Sequence, residues 1–514
     1  MSTMKTPGVY VVEKSAFPNS VVEVATAIPA FVGYTEKAAN GNKTLLNKPT
    51  RIASMAEFQA FFGGPSMAEF NLEEAAQGTT PDLTTGGKGY RLTQTKKYTL
   101  YYNMVLFFAN GGGQCYIVSV GDYQTDLKKD NFQNGINALI SEPEPTMVVV
   151  PEGVNLPAAD CFDIQNAVLN HCGYDMRSRF AILDVPQAEA EEEAVKRFRE
   201  GVTSDFLDFG AAYYPWLNTS IVQDGDLSFR NLANPAALRT LLEAEMPEAR
   251  QSDELKAIFD VIQTKGAAKA GKAEAKEGKA EADKAETEPV AQGTLPAVTA
   301  HKILFQVSNV YQDVLRSMKN HLNLLPPSAA IAGVYTLVDN TKGVWKAPAN
   351  VGVVGVTSPT VNISHAKQED LNVPLSGKAI NAIRAFVGEG IKVWGARTLD
   401  GNSLDWRYIN VRRTVIMLEE SIKNAARAYV FEANNASTWV SVRSMIASFL
   451  TGIWKRGGLM GASPEEAFNV SVGLGETMTP NDVLEGIMRI TVNIAVVRPA
   501  EFIEITFQQQ LQEG

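Results

Sequence analysis

Two short apolar segments decide the fold class: Thr146-Met147-Val148-Val149-Val150 and Phe180-Ala181-Ile182-Leu183-Asp184-Val185. Each is a run of five or six mostly apolar residues, which is typical of a strand that is covered on both faces. Helix-like stretches occur around 160–171 and 187–200, and a third apolar segment follows at 210–216. Apolar strands that alternate with helices indicate βαβ units and a parallel sheet. Residues from about 100 to 330 are therefore predicted to contain an α/β domain.

The last 135 residues or so show an α+β pattern instead. Apolar side chains at positions 411, 415, 418, 422, 425 and 429 are spaced like one face of a long helix. A second such stripe runs from Trp439 to Ile453, and Gly457-Gly458 ends it. Ser463-Pro464 and Thr479-Pro480 are helix starts, and the alternation from Ile490 to Val496 predicts a half-buried strand.

Both ends of the chain carry strand-like runs that have no obvious local partner. Near the start these are Val9, Tyr10, Val11 and Val12, followed by a second β-prone run at 21–24; near the end they are Phe502, Ile503, Ile505 and Phe507 within 502–507. A strand without a local neighbour must pair with a sheet edge elsewhere, either on its own domain or on another molecule. The sequence alone leaves both alternatives open for the N-terminal run.

Residues 265–286 consist only of Ala, Lys, Glu, Asp and Gly. A segment without aromatic or branched side chains buries too little apolar area to offset the entropy lost on ordering. We expect a frayed helix or disorder on the surface. The whole charged insert is taken as 265–288.

Composition excludes several functional classes. The chain has 514 residues, a net charge of −10 and only 20% charged residues. The acidic balance argues against nucleic-acid binding, and the low charge content favours assembly over a lone monomer. Three cysteines without a CxxC pair indicate no disulfide framework or zinc site. We find no signal peptide and no run long and apolar enough for a bilayer span, so we expect synthesis and folding in the cytoplasm without direct membrane insertion.

Motifs for catalysis are missing as well. There is no G-x-S-x-G elbow, no Walker A loop and no HExxH pair, so we predict no cofactor, metal or catalytic site. The order of residues in the sequence allows one alternative function, a hydrolase. The order of a subtilisin-like triad is matched by Asp184, a later His301 or His321, and Ser328. The competing reading is that Asp184, at a strand end, caps a helix.

Several runs together resemble the sheath proteins of contractile tails. The most specific is Gly343-Val344-Trp345-Lys346-Ala347-Pro348-Ala349-Asn350, and the resemblance extends over runs at 6–13, 28–35, 107–116, 180–186, 211–216, 326–333, 393–399 and 498–503. They cover nearly the whole chain in order. The charged insert is the one part that does not resemble a family element.

The resemblance implies a multidomain sheath subunit of class α/β plus α+β. The expected organisation is an N-terminal arm (1–25), an N-terminal part of the body (26–100), an α/β middle domain often labelled subtilisin-like (101–355), a C-terminal α+β domain facing the tube (356–497) and a C-terminal arm (498–514). Such subunits stack as rings around an inner tube and contract to drive the tube through a target envelope. Their arms add strands to a small sheet in neighbouring subunits.

The resemblance also implies the partners. They are other copies of the chain, with or without a second sheath paralogue, the inner tube protein, and baseplate and terminal cap proteins. The wording of the motifs favours an extracellular injection particle, with a phage tail as the alternative, and a single 514-residue chain disfavours the type VI sheath, which is split over two shorter chains. On the predicted helix at 408–432, Lys423 and Arg427 lie away from the apolar stripe and are the candidate tube contacts, and Glu419 and Lys423 are spaced to pair.

Overall fold

The computed structural model describes residues 21–188, 190–247, 253–263 and 296–505. The strands are β1 Pro29–Gly33, β2 Ala39–Asn40, β3 Lys43–Thr44, β4 Thr50–Ile52, β5 Phe70–Glu74, β6 Leu83–Thr85, β7 Lys88–Gln94, β8 Cys115–Ser119, β9 Met147–Val149, β10 Phe180–Asp184, β11 Gly210–Tyr214, β12 Leu217–Thr219, β13 Leu324–Leu325, β14 Val351–Gly352, β15 Val356–Pro359, β16 Ile380–Phe386, β17 Gly390–Trp394, β18 Phe468–Ser471 and β19 Thr491–Ile494.

The helices connect and cover these strands. They are α1 Met55–Phe62, α2 Leu100–Ala109, α3 Lys129–Ala138, α4 Ala158–Asn170, α5 Glu191–Gly201, α6 Pro235–Glu245, α7 Asp253–Gln263, α8 Ala297–Val307, α9 Asn309–Leu322, α10 Ser328–Lys342, α11 His365–Asn372, α12 Ile409–Ala426, α13 Ala436–Lys455, α14 Pro464–Ala467 and α15 Pro480–Leu484.

A nine-stranded sheet forms the centre of the molecule, in the order β14-β17-β16-β11-β10-β9-β1-β8-β4. The predicted buried strands β9, β10 and β11 are adjacent and parallel, as the α/β pattern predicts, with Ile182 opposite both Val149 and Ala211. Every residue of these three strands is buried. Separate apolar cores cover the two faces, one under α3 to α5 and one under α1, α2 and α10.

The sheet crosses two of the predicted domain boundaries. Strand β1 pairs with both β8 and β9, so the segment 26–100 contributes a central strand rather than a separate part of the body. Beyond residue 355, β16 pairs in parallel with β11 and in antiparallel with β17. These pairings could not be predicted from the sequence, because sheet neighbours that are distant in the chain leave no local signal.

A smaller side domain is built from two distant segments of the chain. The three-stranded sheet β5-β7-β6 packs with α6 to α9 around a third core, which contains Phe70, Phe229 and Tyr311. In the sequence, the charged insert follows α7 and precedes α8, two helices of this domain. The insert itself lies outside the described residues.

The C-terminal region has the α+β composition that the sequence predicts. Helices α12 and α13 and the two-stranded sheet β18-β19 enclose a fourth core. Gly457, with φ of 83°, follows the end of α13 in a conformation that glycine adopts at low cost. At the start of α15, Thr479 and Asp482 form a capping box, as the Thr-Pro signal indicates.

Candidate interaction site in the C-terminal region

Helix α12 is the element on which the candidate site is built. The stripe from Val411 to Leu418 is buried, as predicted, but so is every residue between them, from Ile409 onward. The prediction that only one face of the helix is buried is therefore wrong for the first half of α12. The reason is that this half lies between three cores, contributing Ile409 to one, Ile416 to a second and Leu418 to a third.

Two consecutive arginines fix the buried half of α12 to the large sheet and its helices. The guanidinium of Arg412 lies 3.8 Å from the ring centroid of Phe209 and 4.6 Å from that of Trp406. That of Arg413 donates to both carboxylate oxygens of Asp339 on α10, at 2.9 and 2.6 Å. Charged side chains at such positions are stable only when they are paired or stacked.

The N-terminal segment is anchored along the other half of α12. The backbone N–H of Val24 donates to the hydroxyl of Ser421 at 3.0 Å, and Arg413 donates to the carbonyl of Thr26 at 2.9 Å. Val21 is buried in the C-terminal core, and Glu23 forms an ion pair with Arg456. The predicted β-prone run at 21–24 forms no strand, because it packs against a helix. It instead fixes the described start of the chain to the body.

The C-terminal segment is anchored at the opposite end of α12. The side-chain amide of Asn410 donates to the carbonyl of Val497 at 2.9 Å. Four residues further on, the carboxylate of Glu501 accepts hydrogen bonds from Arg397, Tyr408 and Asn372. Burial, the largest single influence, raises the pKa of Glu501, but these hydrogen bonds and the charge of Arg397 outweigh it and hold the pKa below the usual range.

Beyond Glu501 the chain leaves the body. Phe502, Ile503 and Ile505 are 76%, 79% and 71% exposed. None of them lies in a strand, so the predicted strand is not formed within the described part of this single chain. A strand is completed only by a partner, and none is adjacent here. Val9, Tyr10, Val11, Val12 and Phe507 lie outside the described residues.

An open apolar groove of 680 Å³ runs between α12 and β19. Its floor is formed by side chains of α12, α13 and the β19 segment: Val411, Val415, Leu418, Ile422, Leu450, Val492, Ile494 and Val496. The adjoining sheet has only β18 and β19 among the residues that the structure describes. Two strands alone are marginally stable, and their outer edges can accept further strands. We refer to this feature as the arm groove.

The two candidate tube contacts lie in different surroundings. Lys423 lies at the rim of the arm groove and pairs with Glu420 at 2.9 Å, not with Glu419 as its spacing predicts. Glu419 lies near the charges of Arg412 and Arg177 instead, which act against the rise that burial causes in its pKa. Arg427 is exposed on a 3₁₀ turn, Arg427–Tyr429, and lines a second cavity next to the N-terminal segment.

The hydrolase triad is not assembled. Asp184 and Ser328 are neighbours, but the contact is a helix cap, in which the backbone N–H of Ser328 donates to the carboxylate at 2.7 Å. Burial raises the pKa of Asp184 to about 7, against the lowering effect of this hydrogen bond. His301 and His321 belong to the side domain, where they contact Tyr311 and Asp82. The cap reading of Asp184 is therefore correct.

No group of three or more His, Cys, Asp or Glu side chains within the described ranges is arranged to hold a metal ion. No helix in that part of the chain is long and apolar enough to cross a membrane.

Comparisons with known proteins agree with this architecture. Residues 402–510 match the family of the phage tail sheath C-terminal domain, a range that covers α12 to β19 and the C-terminal segment anchored at Glu501. The tail sheath protein of Vibrio phage KVP40 is 28% identical over 164 residues, which are 31% of this chain and 23% of the phage protein. The alignment thus spans less than a quarter of that relative's length.

Two solved structures are similar over the whole chain. The first is the contracted PVC sheath of an extracellular contractile injection system, with a TM-score of 0.60, 26% identity and coverage of 100% of this chain and 99% of the other. The second is the contracted helical sheath of the anti-feeding prophage, with a TM-score of 0.60, 26% identity and coverage of 99% and 100%. Over its whole length the chain is therefore similar to contractile sheath proteins, and its C-terminal region matches the sheath C-terminal domain. The predicted resemblance to contractile tail sheaths is confirmed.

Proposed function

We propose that this protein is the structural subunit of a contractile sheath, which polymerises as stacked rings around an inner tube and shortens to drive the tube through a target envelope. We call the anchored segments Val21 to Thr26 and Val497 to Glu501 the arm roots. The observation that carries the proposal is that both arm roots and the arm groove lie along the same helix, α12. Each copy presents the exposed apolar side chains of Phe502, Ile503 and Ile505 and a groove that has an apolar floor. Such a head-to-tail contact generates rings or helical polymers rather than closed dimers.

Strand addition supplies the contact between subunits in this proposal. An arm from one copy lies along the arm groove of another and extends its two-stranded sheet through backbone hydrogen bonds. Apolar side chains of the arm, such as Phe502 and Ile505, cover the floor of the groove. This arrangement connects the subunits flexibly, since each arm is fixed at its root and docks at its tip.

We further propose that the sheath belongs to an extracellular contractile injection system, because one of the full-length neighbours described above, the PVC sheath, belongs to such a system. The phage tail is the alternative, and it uses the same mechanism. The partners are then the tube protein, the baseplate and cap proteins and any sheath paralogue, and assembly takes place in the bacterial cytoplasm. The protein itself performs no catalysis in this proposal, since Asp184 serves as a helix cap.

Negative-stain microscopy of the expressed protein tests the proposal. We expect hollow cylinders from the full chain and soluble, folded monomers from a chain that lacks residues 1–14, because the truncation removes the N-terminal arm but leaves its root at Val21 to Thr26. Cylinders from the truncated chain would exclude the N-terminal arm as the connector. A globular full-length protein whose Ser328 reacts with a fluorophosphonate probe would favour the hydrolase.

A further inference from the structure

The root of the C-terminal arm is held by four hydrogen bonds to one carboxylate. Arg397 donates from Nε to Oε1 of Glu501 at 3.0 Å and from Nη2 to Oε2 at 2.7 Å. The Tyr408 hydroxyl donates to Oε2 at 3.0 Å, and the Asn372 amide donates to Oε1 at 2.7 Å. Each oxygen thus accepts two bonds. We call this group of four residues the Glu501 clamp.

The donors of the clamp are themselves fixed to the large sheet. The backbone N–H of Arg397 donates to Asn381 on β16 at 2.8 Å, and the Asn381 amide donates back to the Arg397 carbonyl at 2.7 Å. The remaining guanidinium nitrogen of Arg397 donates to the carbonyl of Gly401 at 3.2 Å. Only 3% of Arg397 is exposed, so its planar guanidinium group is held in one orientation. The clamp therefore links the arm root to strand β16 of the nine-stranded sheet.

The transition from fixed to free chain is abrupt. The Glu501 side chain is 20% exposed, whereas the next residue, Phe502, is 76% exposed. A two-pronged guanidinium–carboxylate contact fixes the direction of a side chain as well as its position. The direction of the backbone that leaves Glu501 is fixed with it.

We propose that Glu501 is the positioning residue of the C-terminal arm. The clamp sets the direction in which Phe502 to Ile505 leave the body, and thereby the neighbouring subunit and strand register that the arm reaches. The partner is a second copy of this chain, so the role in assembly rests on the proposed function. The direction of the arm in a single subunit does not depend on it.

The direction of the arm can be measured as the distance between two spin labels. The measurement uses the full chain at a concentration too low for the chain to polymerise. One label is placed at Ile503→Cys on the arm and one at Val440→Cys on α13, both exposed positions. The three native cysteines are buried and leave the labelling selective. We expect a narrow distance distribution for the parent chain and for the control Glu504→Gln, which neutralises an exposed carboxylate further along the arm.

Three variants remove parts of the clamp. Glu501→Gln should give the broadest distribution, Arg397→Lys an intermediate one because it keeps the charge but loses the fork, and Tyr408→Phe the smallest change. The concentration needed for polymerisation should rise about ten-fold in Glu501→Gln, the loss expected for one charge-assisted hydrogen bond, and stay unchanged in Glu504→Gln.

The outcomes separate the two proposals. The role of the clamp would be overturned if the Arg397→Lys and Tyr408→Phe chains folded and gave distance distributions as narrow as that of Glu504→Gln. This holds even if Glu501→Gln itself failed to fold. Broad distributions in a protein whose parent chain forms no cylinders would support the clamp and contradict the sheath.

Discussion

Arg413 and Asp339 form an ion pair in which the two side chains are only 4% and 1% exposed. The pair joins α12 to α10, and the same guanidinium also holds the carbonyl of Thr26 at the root of the N-terminal arm. The pair therefore connects three parts of the molecule at one point. These are the helix that carries both arm roots, the large sheet with its helices, and the N-terminal segment. We infer that the body of the subunit moves as a unit while the arms beyond their roots change direction.

Arg413→Ala should destabilise the folded chain by about 3–5 kcal/mol, because it leaves the carboxylate of Asp339 buried and unpaired. The free energy of unfolding, measured by urea denaturation, checks this value. The control is Arg498→Ala, whose side chain is 53% exposed and lies 4.0 Å from Asp405, and it should cost at most about 0.5 kcal/mol. Equal stabilities of the two variants would show that the buried pair contributes little.

The carboxylate of Glu152 predicts a pH dependence of stability. It is fully buried and accepts backbone N–H bonds from Tyr34, Thr99 and Leu100 at the start of α2. Burial raises its pKa from 4.5 to about 7, although the three hydrogen bonds lower it. Between these two values the folded chain binds a proton that the unfolded chain has released. The contribution of Glu152 to stability is thus complete below the unfolded pKa and is lost as the pH rises through 7.

Comparison with Glu152→Gln isolates this contribution. Between about pH 5 and about pH 8 the parent chain should lose stability relative to the variant, by on the order of 3 kcal/mol for a shift of this size. Urea midpoints at the two pH values measure the difference, with the exposed Glu57→Gln as the control that should follow the parent chain. The opposite sign would mean that the three N–H donors keep the folded carboxylate ionised in acid.

Local signals in the sequence predicted the elements but not how they pack together. The parallel strands around Val148 and Ile182 and the helices of the C-terminal region follow from periodicity, which depends on near neighbours in the chain. The pairing of β16 with β11 and the complete burial of the first half of α12 depend on residues far away in sequence. In the sequence, Arg412 and Arg413 indicate an exposed polar face of the helix. Their burial can be explained only when their partners Phe209 and Asp339 are known.

The candidate site was predicted to a similar extent. The unpaired apolar residues near Phe502 are visible as a pattern, whereas the anchoring of the arm by Arg397 joins two sequence runs about a hundred residues apart. A signal was present, since both the 393–399 run and the 498–503 run belong to the motifs that resemble tail sheaths. Nothing in the spacing shows that one run binds the other.

The charged insert should be dispensable for folding and assembly. Helices α7 and α8 on either side of it pack against each other in the side domain without it. Loop length changes at such positions have small entropic costs. Replacing residues 265–286 by a short Gly-Ser link should leave the melting temperature and the formation of cylinders unchanged. Loss of soluble protein, or of cylinders alone, would assign the insert a packed or interface role.

The final prediction concerns Lys423 and Arg427, which we continue to propose as tube contacts. A sheath must hold its tube and then release it, and exposed ion pairs suit this need because each is weak and sensitive to salt. The double variant Lys423→Glu, Arg427→Glu should fold but assemble poorly on tubes, with residual binding that weakens as salt rises. Sedimentation with purified tubes at low and moderate salt measures this binding.

The single variants separate the tube from the arm groove. Lys423 lies on the groove rim beside Glu419, so Lys423→Glu adds negative charge there and should also weaken polymerisation without tubes. Arg427→Glu lies outside the groove and should impair tube binding alone. Because these are exposed charges, both defects should be modest, about 1 kcal/mol or less for each contact, and should add up over many subunits. Unchanged co-sedimentation of the double variant at both salt concentrations would remove these residues from the tube interface and direct attention to α15, which follows Thr479 on the same domain.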